Sequence, residues 1–128
     1  MARILITGGC GFVGSNLAYS HLNLDDEVII FDNLSRLGSS VNLNWLESQN
    51  FKKLTFIKGD IRKIGDINNA LRKTIDAVYH TAGQVAVTTS VEDPSTDFDI
   101  NARGTFNVLE AVRKSQCGSL KNSSSADL

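Results

Sequence analysis

Ile4-Leu5-Ile6-Thr7-Gly8-Gly9-Cys10-Gly11-Phe12-Val13-Gly14 decides the fold. A short apolar run breaks into a glycine cluster. A segment of helical periodicity comes next, with Val13, Leu17, Ala18 and Leu22 expected on one apolar side. The glycines satisfy G-x-G-x-x-G through Gly9, Gly11 and Gly14, and G-x-x-G-x-x-G through Gly8, Gly11 and Gly14. Between a strand and a helix, such spacing predicts a turn whose main chain lies bare to a diphosphate. No Cβ holds the anion off, and the unpaired N–H groups and positive dipole end of the helix face it. Gly8, Gly11, Phe12, Val13 and Gly14 are therefore candidate cofactor-binding residues.

Asp32 ends the next apolar run, Val28-Ile29-Ile30-Phe31, 18 residues beyond Gly14. A carboxylate at about that spacing accepts hydrogen bonds from the adenosine ribose hydroxyls. It repels a 2′-phosphate, so it favours NAD over NADP. Arg36 is a contrary sign, because a nearby guanidinium can neutralise that phosphate.

Outward from this unit, Leu54-Thr55-Phe56-Ile57 and Ala77-Val78-Tyr79 read as further strands, and helical spacing marks Leu43–Leu46 and Ile64–Leu71. A longer helix is expected from about Pro94 to Ser115, with Asp93 as its N-cap and Pro94 in its first turn. Phe98, Ala102, Phe106, Leu109 and Val112 are the apolar stripe expected to pack inward. The order β-α-β-α-β-α-β-α predicts an α/β domain with a doubly wound parallel sheet of Rossmann type, helices covering both faces. Asp60-Ile61 and Ala82-Gly83 come after strands three and four, at the carboxyl ends where open sheets of this kind bind ligands. A fifth strand is due after Gly118, but the sequence to Leu128 is polar. Residues 1–118 are thus expected to form the NAD-binding domain, truncated after about strand five, and 119–128 a degenerate or frayed tail.

Composition narrows the function classes. The chain has 128 residues, 41% hydrophobic, with 13 Lys and Arg against 14 Asp and Glu and a net charge of −1. That balance argues against a nucleic-acid binder, and no apolar run nears the ~20 residues that span a bilayer. The start leaves no room for a signal peptide, and Cys10 and Cys117 match no metal-ligand spacing. A cytoplasmic protein without a metal is expected. His80 reads as a strand-end histidine, His21 as a surface or packing residue, and Trp45 as core or groove packing without an aromatic partner nearby.

Five motifs together resemble the extended short-chain dehydrogenase/reductase family of nucleotide-sugar epimerases and dehydratases. They are Thr7–Gly14, Phe31-Asp-Asn-Leu-Ser-Arg36, Gly59-Asp-Ile-Arg62, His80-Thr-Ala-Gly-Gln84 and Asn101-Ala-Arg-Gly-Thr105. Asn42-Leu-Asn-Trp-Leu46 and Ala82–Ser90 are most similar to its members that epimerise a CDP-linked sugar at C2. The resemblance implies tightly held NAD, with Asn33, Ser35, Arg36, Asp60, Ile61, Ala82, Gly83 and Gln84 beside Asp32 and the glycine turn. It also implies a nucleotide-sugar substrate, transient hydride transfer through a 2-keto sugar, and homo-oligomers. The family's base is the Tyr of a Tyr-x-x-x-Lys pair. Here position 23, four after Tyr19, is Asn, and position 83, four after Tyr79, is Gly. Ser123-Ser-Ser-Ala126 resembles the family's serine motif, which makes Ser125 the candidate assisting hydroxyl, with a solvated serine-rich tail as the alternative. The chain is thus expected to be the cofactor-binding portion of such an enzyme and inactive by itself. The alternatives are a non-catalytic dinucleotide-binding module, or part of a UDP-glucose 4-epimerase or a 4,6-dehydratase.

Overall fold

The computed structural model describes residues 1–83, 87–115 and 120–122. Five strands, β1 (Arg3–Thr7), β2 (Glu27–Asp32), β3 (Leu54–Lys58), β4 (Ala77–His80) and β5 (Leu120–Asn122), form one sheet in the order β3-β2-β1-β4-β5. Every pairing is parallel. The chain winds outward from β1 through β2 to β3, then crosses back to place β4 on the other side of β1. The order therefore reverses between β1 and β4, and a crevice opens at the carboxyl ends of these strands.

The continuous apolar runs have a simple cause: successive side chains leave a strand on opposite faces, and here both faces are covered. Ile4 and Ile6 of β1 join Val28 and Ile30 of β2 on one face, packed with Ala18, Leu22, Leu43 and Leu46 of helices α1 (Phe12–Asn23) and α2 (Ser39–Ser48). Leu5, Ile29, Phe31 and Val78 point the other way. They pack with Ile67 and Ala70 of α3 (Ile64–Ala70) and with Val108 and Ala111 of a later helix.

That later helix is built in three pieces after a short α4 (Val87–Glu92). They are α5 (Pro94–Phe98), a π-helical turn over Asp99–Arg103, and α6 (Gly104–Lys114). Asp93 caps α5 as expected, its carboxylate accepting from the Thr96 N–H at 3.2 Å. The expected inward stripe is a correction. Phe98 is 60% and Phe106 57% exposed, and Ala102 and Leu109 also face outward, while Val112 alone of the set is half-buried against the core. Gly104, Asn107, Val108 and Ala111 face inward instead. The reason is proximity: a Cβ on Gly104 would stand 2.5 Å from the Ile61 side chain, so only small residues fit under the helix there.

Val13 is a second correction, being 49% exposed rather than on the buried side of α1, where Gly14 and Ser15 sit. Trp45 is a third. It has an aromatic partner in space, the Tyr19 ring at 5.0 Å between centroids, itself edge-on to Phe51. His21 bridges elements, with Nδ1 at 2.9 Å from Asp26 Oδ2 and Nε2 at 3.2 Å from the Tyr79 hydroxyl. Of the polar tail, Leu120–Asn122 pair with β4 as β5; residues 123–128, Ser125 among them, lie outside the described residues. Among the described residues no helix is long and apolar enough to cross a membrane, and no three His, Cys, Asp or Glu gather as metal ligands do.

Candidate functional site

The shape of the glycine turn between β1 and α1 is dictated by where a side chain would have to go. Gly8 has φ +69°, and a Cβ there would lie 2.7 Å from the Ala82 nitrogen. It must be glycine on both counts. Gly14 lies on the first turn of α1 against the backbone of Gly8 and Gly9, with 2.8 Å between its would-be Cβ and Gly9 Cα, which lets the helix start directly above the strand end. Gly11 differs. Its φ of −80° suits any residue, and a Cβ would meet only the Gly8 carbonyl at 3.3 Å. The space in front of Gly11 is open. The spacing through Gly8, Gly11 and Gly14 thus divides the work into turn, ligand approach and helix packing.

Two lobes adjoin this turn. One, of about 180 Å³, is lined by Gly8, Gly11, Asp32, Asn33, Ser35, Arg36, Asp60, Ile61, Ala82 and Gly83, with others. The second, of about 670 Å³, is lined by Gly8, Gly11, Phe12, Val13, Gly14 and Arg36 among others. Gly8, Gly11 and Arg36 border both, so the lobes form a single trough along the carboxyl ends of the strands. Every candidate cofactor residue read from the sequence lines it, apart from Gln84, which lies outside the described residues.

Asp32 lines the smaller lobe beside the turn. Its Oδ2 accepts from the Cys10 N–H at 3.0 Å and its Oδ1 from the Leu34 N–H at 2.8 Å. Each carboxylate oxygen has room for about two donors, so each can take one more, as a pair of vicinal hydroxyls would require. Asp60 is engaged differently. Arg62 grips it from Nε and from the terminal guanidinium nitrogen at 2.7 Å, and the Arg62 N–H adds a bond at 2.9 Å. The Arg62 hydrogen bonds hold its pKa at about 2. The neighbouring Ile61 carbonyl is fixed by the buried Asn107 Nδ2 at 2.9 Å, so α6 sets the floor of the first lobe.

Several contributors have roles that the sequence motifs containing them do not reveal. Thr81 Oγ1 donates to the Thr7 carbonyl at 2.6 Å and so ties β4 to β1 at the crevice. His80, 2% exposed, lies between the hydroxyls of Thr7 at 2.7 Å and Thr105 at 2.9 Å, and burial lowers its pKa to about 4. It is a neutral structural ring joining β1, β4 and α6. Thr7, Thr81 and Thr105 each fall within a quoted motif, but nothing in the sequence pairs them, and only the strand order brings them together. Cys10 is buried beneath the turn. Burial first, then the charges of Asp32 and Glu47, push its thiol up to about 12, which leaves it without nucleophilic character near neutral pH.

The trough suits an adenine dinucleotide on these observations: an open approach at Gly11, a helix start behind it, and a carboxylate with spare acceptor capacity beside it. Comparison with known proteins agrees with this architecture. The chain is 52% identical over 114 residues to the CDP-paratose 2-epimerase of Salmonella typhi, covering 88% of this chain and 33% of that protein. It is 37% identical over 125 residues to a UDP-glucose 4-epimerase of Klebsiella pneumoniae, covering 97% of this chain and 89% of the relative. Among solved structures, the Bifidobacterium longum UDP-glucose 4-epimerase in complex with NAD+ and UDP superposes with a TM-score of 0.87 at 32% identity, covering 97% of this chain and 37% of that one. The Thermus thermophilus UDP-glucose 4-epimerase in complex with NAD gives 0.75 at 37% identity, covering 88% and 34%. The chain spans about a third of the length of most of these relatives. A family model described as GDP-mannose 4,6 dehydratase matches residues 5–128, and with the glycine turn and reversed strand order in place, the chain belongs to that family of nucleotide-sugar epimerases and dehydratases.

Proposed function

We propose that this chain binds NAD along the trough and forms the cofactor-holding part of a nucleotide-sugar epimerase. The observation that carries the reading is the open space in front of Gly11, at the start of α1 and beside Asp32. Phe12, Val13 and Gly14 would receive the diphosphate on main-chain N–H groups that the helix leaves unpaired, with Gly11, whose own N–H is bonded to the Gly8 carbonyl, leaving the approach open. Asp32 would hold the adenosine ribose through its remaining lone pairs, with Asn33, Ser35 and Arg36 along the same edge. Asp60, Ile61, Ala82 and Gly83 would enclose the base in the smaller lobe. NAD, when bound, supplies a reversible hydride acceptor. Its partner is a nucleotide sugar, and the 52% identity to a CDP-paratose 2-epimerase supports epimerisation of a CDP-linked sugar at C2. We further infer a cytoplasmic homo-oligomer, for which exposed Phe98, Phe106 and Leu109 offer an apolar face.

Calorimetric titration of the chain with NAD tests the cofactor reading. Saturable binding is expected, and no heat at NAD concentrations on the order of millimolar, where even about 4 kcal/mol of binding would register, would overturn it. The enzymatic part is tested separately. The 128 residues contain no Tyr-x-x-x-Lys, so reading the DNA beyond Leu128 should reveal one in frame. NAD binding without such a pair would instead support a non-catalytic module.

A further inference from the structure

Cys10 sits in the middle of the glycine turn, and both polar groups of its main chain are held by side chains from elsewhere in the fold. Its N–H donates to Asp32 Oδ2 at 3.0 Å, and its carbonyl accepts from Asn42 Nδ2 at 2.8 Å. Asp32 reaches in from the end of β2 and Asn42 from the first half of α2. The Asn42 side is rigidly based. Its helix neighbour Leu43 is buried in the core under the sheet, and Leu46, one turn further, is fully buried there. The Cys10 thiol is inert and buried, so what matters at this position is the peptide and not the sulfur.

We infer that Asn42 is a positioning residue for the dinucleotide's diphosphate, fixing the turn at Cys10 so that the N–H groups from Phe12 onward are aimed before the ligand arrives. The inference rests on the NAD reading above and adds a residue from outside the glycine motif. Main-chain bonds fix the start of the turn, Gly8 N–H to the Phe31 carbonyl at 2.7 Å and Gly11 N–H to the Gly8 carbonyl at 3.0 Å. The Cys10 peptide, held only by Asp32, could still rotate about that bond, and the Asn42 tie on its carbonyl removes this freedom. Preorganisation of this kind lowers the ordering cost of binding. Because the tie acts on the turn, it strengthens only ligands that place an anion there. A nucleoside without phosphates touches Asp32 and the smaller lobe and gains nothing from it.

The test uses the full 128-residue chain and its Asn42→Leu and Asn42→Ala variants. Leucine keeps the branching at Cγ and raises helix propensity while removing the donor, so a weaker ligand cannot be put down to a destabilised α2. Affinities for NAD and ADP are measured by calorimetry, and for adenosine by NMR titration. NAD and ADP should weaken by about threefold to tenfold, the range expected for one lost hydrogen bond, while adenosine changes less than about twofold. Hydrogen exchange at the Cys10 and Gly11 amides, which are bonded to Asp32 and to the Gly8 carbonyl in the ligand-free chain, should accelerate in both variants. Equal weakening of adenosine, ADP and NAD would make Asn42 a merely structural residue and overturn the inference, as would unchanged affinities with unchanged exchange. If the unsubstituted chain binds no NAD, the cofactor reading itself fails and this inference falls with it. Binding by the unsubstituted chain with variants that match it overturns the inference alone.

Discussion

His80 makes the stability of this fold depend on pH in a way that one substitution can isolate. Buried between two threonine hydroxyls, the ring has its pKa lowered from the ordinary 6.5 to about 4. Between those values the unfolded chain carries a proton that the folded chain does not. Stability therefore rises with pH across the window and is lost as pH falls from 6.5 towards 4. At about 1.36 kcal/mol per pKa unit, the loss between pH 7.5 and pH 4.5 comes to about 2 kcal/mol, with little discount for solvent because the site is almost fully buried. Asp60 titrates below this window, with its pKa near 2. The perturbation is His80→Asn, which retains hydrogen-bonding capacity for the threonines and cannot titrate. Urea unfolding can be followed through Trp45, the single tryptophan, in both chains at pH 7.5, 5.5 and 4.5. The variant should be the less stable at pH 7.5, and the gap should narrow by about 2 kcal/mol by pH 4.5. A gap that stays constant across that range would refute a neutral, buried His80.

The glycines give a paired test. Gly11→Val should fold, because its backbone angles and surroundings accept a side chain, yet it should abolish NAD binding measured by calorimetry. Gly14→Ala should instead lower stability by the roughly 1–3 kcal/mol typical of overpacking, seen as a drop in thermal midpoint, since its Cβ would collide with the Gly8 and Gly9 backbone. Asp32→Ser should reduce the preference for NAD over NADP by at least about tenfold in competitive titration, as removal of a carboxylate beside Arg36 would predict. In a Cys117→Ser background, Cys10 should resist alkylation at pH 8 in the native chain and react on unfolding in urea, in keeping with a thiol at about 12; rapid native alkylation would contradict its burial.

The sheet is legible in the sequence because it is encoded locally. Ile4–Ile6 and Val28–Phe31 are runs that only a two-faced strand can bury, and the glycine turn commits the chain to a helix directly after β1. The trough is legible for the same reason, since Asp32, Asp60 and Ala82 lie at or just past strand ends and parallel strands end on one side. The helix over 94–114 is legible too, but its buried face is not. Large apolar residues normally mark the packed side, yet at Gly104 the available space admits no side chain, and the large residues are displaced outward. Val13 misleads in the same sense, being apolar and yet directed to the trough. The Thr7–His80–Thr105 bridge and the Asn42–Cys10 bond are invisible because their members lie 25 to 73 residues apart, and no pattern in the chain marks them as neighbours before the strands are ordered.

The wide turn at Asp99–Arg103 sets the phase of everything after it. A residue on an α-helix stands about 100° around the axis from the next, and a π-type turn holds one residue more than an α-helical turn. Deleting one residue there would leave an ordinary α-helical turn with Asn107 still in phase, whereas deleting a second would swing Asn107 about 100° round the axis, away from the Ile61 carbonyl, and carry a larger side chain towards the place Gly104 now occupies. Longer deletions in this stretch would therefore disturb the adenine end of the trough, both through the phase of the helix that follows and through Ile100, which lines the smaller lobe itself.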